Sequence, residues 1–139
     1  MTNRRALIVD DKEDNLYFLH ALLQGNGFDV AEARNGAEAL ELARQHPPEV
    51  VIADILMPVM DGFALCRAWK QDEGLRRIPF IFYTATYTDE RDRAFGLGLG
   101  AERFLVKPEE PDALLAIVQD TIRRAAQAPA PGAPPAAIE

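Results

Sequence analysis

The chain has 139 residues, 48% of them apolar and 27% charged, with a formal net charge of −7. This length supports one domain with its own core, and the acidic balance argues against direct binding to nucleic acid phosphates. The single cysteine, Cys66, excludes an intramolecular disulfide and fits a reducing cytosol; no apolar run approaches the ~20 residues of a membrane span, and the stretch ahead of Asp10 is too short for a signal peptide.

Ala6-Leu7-Ile8-Val9 is a continuous apolar run that stops at Asp10-Asp11, which predicts a strand buried on both faces. Leu16, Leu19, Leu22 and Leu23 then share one helical face, and Gly25-Asn26-Gly27 ends that helix. Residues 28–33 read as a second strand. Asn35 is placed to cap a helix carrying Ala37, Leu40 and Ala43, which stops before Pro47-Pro48. Residues 50–53 form a third strand that stops at Asp54. A loop follows, punctuated by Pro58 and Gly62. Residues 63–71 read as a helix with Phe63, Leu65, Cys66 and Trp69 as its apolar members. Residues 80–83 are a fourth strand, ending at Thr84. The helix over 89–97 has a weak end at Gly96, Gly98 and Gly100, because glycine costs roughly 1 kcal/mol relative to alanine in a helix interior. Residues 104–106 belong to a fifth strand, ending at Lys107-Pro108. The last helix starts near Pro111 and Asp112 and presents Leu114, Leu115, Ile117, Val118 and Ile122 on a broad face. From Ala125 onward the chain is mostly alanine and proline, so the expected domain is 1–124 and the expected tail or linker 125–139.

Five strand–helix repeats with apolar strands predict an α/β fold: a doubly wound, five-stranded parallel sheet of order 2-1-3-4-5, flavodoxin-like. Ligands of such sheets bind at the carboxyl ends of the strands. Those ends carry Asp10-Asp11, Asp54, Thr84 and Lys107, whereas the second strand ends in Ala33-Arg34 and offers no comparable acid. Three converging carboxylates repel one another, and a divalent cation removes the conflict. Mg2+ takes a few carboxylates and completes its shell with water and phosphate oxygens, which describes a phosphoryl-transfer site. Asp54 is then a plausible nucleophile. Lys107 supplies a point charge for the transferred group, and the Thr84 hydroxyl a hydrogen bond. Each residue also has a plainer reading on its own: Asp10-Asp11 as a turn and cap, Thr84 as a backbone partner, Lys107 as a solvated lysine, Phe104, Cys66 and Trp69 as core, His20 and His46 as structural.

Taken together, Val9-Asp10-Asp11, Asp54 with Met57-Pro58 and Asp61-Gly62, Thr84-Ala85 and Lys107-Pro108 resemble the receiver domain of bacterial response regulators, over residues 4–124. The resemblance implies that Asp54 is the phosphoacceptor of a two-component system. It implies direct Mg2+ ligation by Asp11 and Asp54, help from Asp10, and a backbone carbonyl near Leu56. The implied donor is a phosphohistidine on a sensor histidine kinase or histidine phosphotransfer protein. Thr84 and Phe104 would then act as the switch, relaying the change through the fourth helix, fifth strand and fifth helix. Leu56 and Thr86 stand where side chains control water access to the acyl phosphate.

The same reading expects a cytoplasmic, self-modifying phosphoprotein rather than a turnover enzyme. It expects a fragment of a longer protein, with an effector domain beyond the C-terminal linker, and it allows a homodimer. An aspartyl phosphatase would need a second acid where Leu56 stands. A nucleotide-binding module would need a glycine-rich loop where the acidic one follows the first strand. A receiver that only docks and is never phosphorylated is the remaining alternative.

Overall fold

Strands that are apolar without alternation need cover on both faces, and here each is followed by a helix that provides it. The computed structural model describes residues 4–127. In chain order it contains β1 (Arg4–Val9), α1 (Glu13–Gln24), β2 (Phe28–Ala33), α2 (Gly36–Gln45), β3 (Val50–Ala53), α3 (Gly62–Gln71), β4 (Phe80–Thr84), α4 (Glu90–Gly98), β5 (Arg103–Val106) and α5 (Pro111–Gln127). All neighbouring strands are parallel, and the sheet order is β2-β1-β3-β4-β5, as the repeat pattern predicts.

Side chains alternate between the two sheet faces. Ala6, Ile8, Val50, Ile52, Ile81 and Tyr83 point to one face and pack on Leu16, Leu19 and Leu23 of α1 and Leu114, Val118 and Ile122 of α5. Leu7, Val9, Val51, Ala53, Phe80 and Phe82 point to the other, against Ala39, Leu40 and Ala43 of α2 and Leu65, Cys66 and Trp69 of α3. Phe104 joins this second core.

Helix starts follow local chemistry. Asn35 accepts the Glu38 N–H at 2.9 Å, and Asp61 accepts that of Ala64 at 2.8 Å. Asp89 and Asp92 close a reciprocal capping box at the start of α4. Several element bounds differ from expectation: β1 starts at Arg4, and α4 runs over Glu90–Gly98 with Asp89 as its cap. Helix α3 begins one residue earlier, at Gly62. Helix α5 continues to Gln127, so residues 125–127 are helical rather than tail; alanine is the best helix former, and the first proline comes only at 129. The rest of the predicted tail lies outside the described residues.

The register brings the reactive ends together. Val9 pairs with Ala33 on one side and Ala53 on the other, and Thr84 pairs with Val106. Asp10, Asp54, Thr84 and Lys107 therefore stand at the same end of four contiguous strands.

Candidate functional site

Asp10 and Asp54 are buried at the carboxyl ends of β1 and β3, while Asp11 is exposed beside them. One carboxylate oxygen from each of Asp10, Asp11 and Asp54 lies within 4.8 Å of the others. The Lys107 ammonium reaches into this group from the end of β5. It donates to Asp10 Oδ2 at 2.7 Å and to Asp54 Oδ2 at 3.3 Å. The second oxygens are held by backbone: Lys12 N–H donates to Asp10 Oδ1 at 3.0 Å, and Ile55 N–H to Asp54 Oδ1 at 2.7 Å.

Burial raises the pKa of Asp54 above the ordinary carboxylate range. The positive charge of Lys107 and the Ile55 N–H act against that rise, and the Asp10 carboxylate adds to it. One ammonium facing three carboxylates leaves an excess of negative charge, with hard oxygen donors closely grouped. That donor set fits a small divalent cation such as Mg2+.

The loop after β3 is tightly fixed. Met60 N–H donates to Pro58 O at 2.7 Å across Val59, whose φ of 69° is unusual for a β-branched residue. Met60 O accepts the Gly36 N–H at 2.9 Å, which ties the loop to the start of α2. A Cβ at position 62 would lie 2.2 Å from the Asp54 carbonyl oxygen, so only glycine permits this close approach. Asp61-Gly62 thus combines a helix cap with a backbone contact directly behind Asp54. Leu56 follows on the same loop with its side chain half exposed.

Thr84 is fully buried, and its Oγ1 accepts N–H bonds from Thr86 at 3.1 Å and Tyr87 at 3.3 Å. A hydroxyl that accepts still has its own hydrogen to donate. The Thr84 carbonyl accepts the Lys107 N–H at 2.8 Å, which locks β4 to the base of the lysine. Phe104 is buried, its ring 5.6 Å from that of Phe82. Gly96 of α4 makes room for both rings: a Cβ there would meet them at 2.9–3.1 Å. The glycine that weakens α4 as a helix therefore has a packing role.

The site also uses a residue that sequence reasoning passed over. Tyr83 is buried in β4, its hydroxyl accepts the Glu109 N–H at 3.0 Å, and its ring centroid lies 5.5 Å from Lys107 Nζ. The available signal was a tyrosine inside an otherwise apolar run, because a buried phenol needs a partner for its hydroxyl. His20 contacts Glu32 at 2.7 Å, and neither it nor His46, at the end of α2, belongs to the carboxylate cluster.

The fold, the acidic triad and the bridging lysine together define a receiver. The model of the response regulator receiver domain matches residues 6–119, and the chain belongs to that family. It is 41% identical over 120 residues to the response regulator PleD of Caulobacter vibrioides, covering 86% of this chain and 26% of PleD. It is 40% identical over 111 residues to the protein PilH of Pseudomonas aeruginosa, covering 80% of this chain and 91% of PilH. The receiver domain of the sensor histidine kinase PA1611 from the same species superposes with a TM-score of 0.80 at 29% identity, covering 88% of this chain and 99% of that one. That crystal structure holds a magnesium ion in the active-site cleft.

Proposed function

We propose that this chain is a phosphorylation switch that takes a phosphoryl group onto Asp54 and passes the change to the face made by α4, β5 and α5. The observation that carries this reading is the Lys107 ammonium bridging Asp10 and Asp54 beside three carboxylate oxygens within 4.8 Å of one another. The magnesium ion in the PA1611 receiver supports Mg2+ as the ion for this site. Asp11 and Asp54 would hold it, with help from Asp10 and a backbone carbonyl near Leu56. Bound there, it would supply positive charge against the acidic triad and the phosphoryl oxygens.

Asp54 attacks phosphorus with one carboxylate oxygen. A P–O bond forms as the P–N bond of a phosphohistidine breaks, and the electron pair stays on the imidazole, which takes up a proton. Lys107 turns its ammonium onto a phosphoryl oxygen, and Thr84 donates its free hydroxyl hydrogen to another. Moving Thr84 loosens the N–H bonds of Thr86 and Tyr87, and Phe104 repacks beneath them. Phe104 has no hydroxyl, so its response is one of packing alone.

The donor in this reading is a sensor histidine kinase or a histidine phosphotransfer protein, in the cytoplasm. The chain modifies only itself and is reset when water removes the phosphoryl group. The chain spans 26% of PleD and 91% of PilH; an effector module beyond the C-terminal segment is part of this proposal. The test is transfer from a labelled phosphohistidine protein in Mg2+. One hydroxylamine-labile phosphoryl group per chain is expected, and label on a serine, threonine or histidine contradicts the reading.

A further inference from the structure

Lys107 has more freedom available to it than its two ion pairs suggest. A cavity of about 270 Å³ lies beside it, between α1 and the loop that joins β5 to α5, lined in part by Phe18, Tyr83, Pro108 and Pro111. A lysine at the rim of such a space can swing away from Asp54, and the loop that carries it can sag inward. Upstream of Lys107 the backbone is fixed by the bond from its N–H to the Thr84 carbonyl. Just downstream, the Glu109 N–H donates to a side chain, the Tyr83 hydroxyl, at 3.0 Å. The Tyr83 ring also stands 5.5 Å from Nζ, within the range in which an aromatic face attracts an ammonium.

We infer that Tyr83 is a positioning residue for the phosphoryl site: its hydroxyl pins the loop and its ring stands beside the ammonium, so that Lys107 is held over Asp54. The inference rests on the phosphoacceptor reading. Tyr83 touches neither the carboxylate cluster nor the incoming group, and it acts only through Lys107. A phenylalanine there keeps the ring and releases the loop. A leucine releases both.

The probe is the phosphoryl analogue beryllium trifluoride, bound in the presence of Mg2+. Its dissociation constant is measured for the unaltered chain, Tyr83→Phe, Tyr83→Leu, Lys107→Ala and the two double variants. Tyr83→Phe is expected to weaken binding ~5-fold, the scale of one lost hydrogen bond, and Tyr83→Leu more. In the Lys107→Ala background both substitutions should change binding by less than ~2-fold, because the group they position is gone. Affinity for Mg2+ alone should stay the same in Tyr83→Phe and Tyr83→Leu. Equal losses in both backgrounds would mean that Tyr83 only supports the fold, and would overturn the inference. So would unchanged binding in Tyr83→Phe and Tyr83→Leu while the unaltered chain binds. A failure of the unaltered chain to bind the analogue would overturn the phosphoacceptor reading itself, and this inference with it.

Discussion

Burial pushes the Asp54 carboxyl up; Lys107 and the Ile55 N–H pull it back, and the Asp10 carboxylate adds to the push. A carboxyl whose folded pKa lies above its unfolded value binds protons better in the fold. Its favourable contribution is present below the ordinary carboxylate range and is lost as pH rises through the folded value. At neutral pH, without a divalent ion, the charge on Asp54 therefore costs stability. Asp54→Asn should raise the Tm in chelator at pH 7, and Mg2+ should then stabilise the unaltered chain more than the variant. A lower Tm for the variant in chelator would contradict this. Cys66, buried on α3, makes a second residue-scale case. Burial is the main reason its thiol is pushed up from 9.0 to about 12; Lys70 works against the shift and Glu102 with it. Above pH 9 the unfolded chain loses this proton while the folded chain keeps it, so stability falls by about 1 kcal/mol per pH unit. Urea midpoints from pH 8 to 10.5 should fall more steeply for the unaltered chain than for Cys66→Ala. Parallel curves would refute the assignment.

The elements differ in how much holds them. Helix α5 buries Leu114, Val118, Thr121 and Ile122, whereas α4 buries only Gly96 among its own residues. What secures α4 is its capping box, an edge contact between Phe95 and Phe63 at 4.9 Å, and a hydrogen bond from Arg93 to the Phe104 carbonyl at 3.2 Å. Few buried apolar contacts mean a low cost of local opening. Amides of α4 should exchange faster than those of β3 and β4, and their rates should change when beryllium trifluoride and Mg2+ are added. Exchange in α4 as slow as in the central strands would contradict the proposal that it is the responsive element. Strands β1, β3 and β4 were legible in the sequence because each contains an unbroken apolar run ended by a polar residue, as in Val50-Val51-Ile52-Ala53 before Asp54, whereas β2 is interrupted by Asp29 and Glu32. The end of α5 was not, because alanine suits both a helix and a linker and only the proline at 129 breaks the pattern. Gly62 was read as loop punctuation, since its approach to the Asp54 carbonyl depends on how α3 folds back on β3. From sequence Tyr83 is legible only as a member of the fourth strand, because its partner Glu109 lies in a loop 26 residues away.

Across the whole molecule, the carboxylates and the lysine come from strands far apart in sequence, and the parallel register assembles them. Lys107 and Asp10 are separated by 97 residues yet meet at 2.7 Å. That Asp10, Asp11, Asp54 and Lys107 meet was readable because strand order and strand ends are both written in the pattern of apolar runs. The ion pairs of Lys107 and the close packing behind Asp54 required coordinates. The measurement that tests the central claim most directly is intact mass after incubation with acetyl phosphate and Mg2+, for this chain and for Asp54→Asn. The account predicts a gain of one phosphoryl group that disappears in the variant and in chelator. A gain that persists in Asp54→Asn would place the acceptor elsewhere and contradict the account.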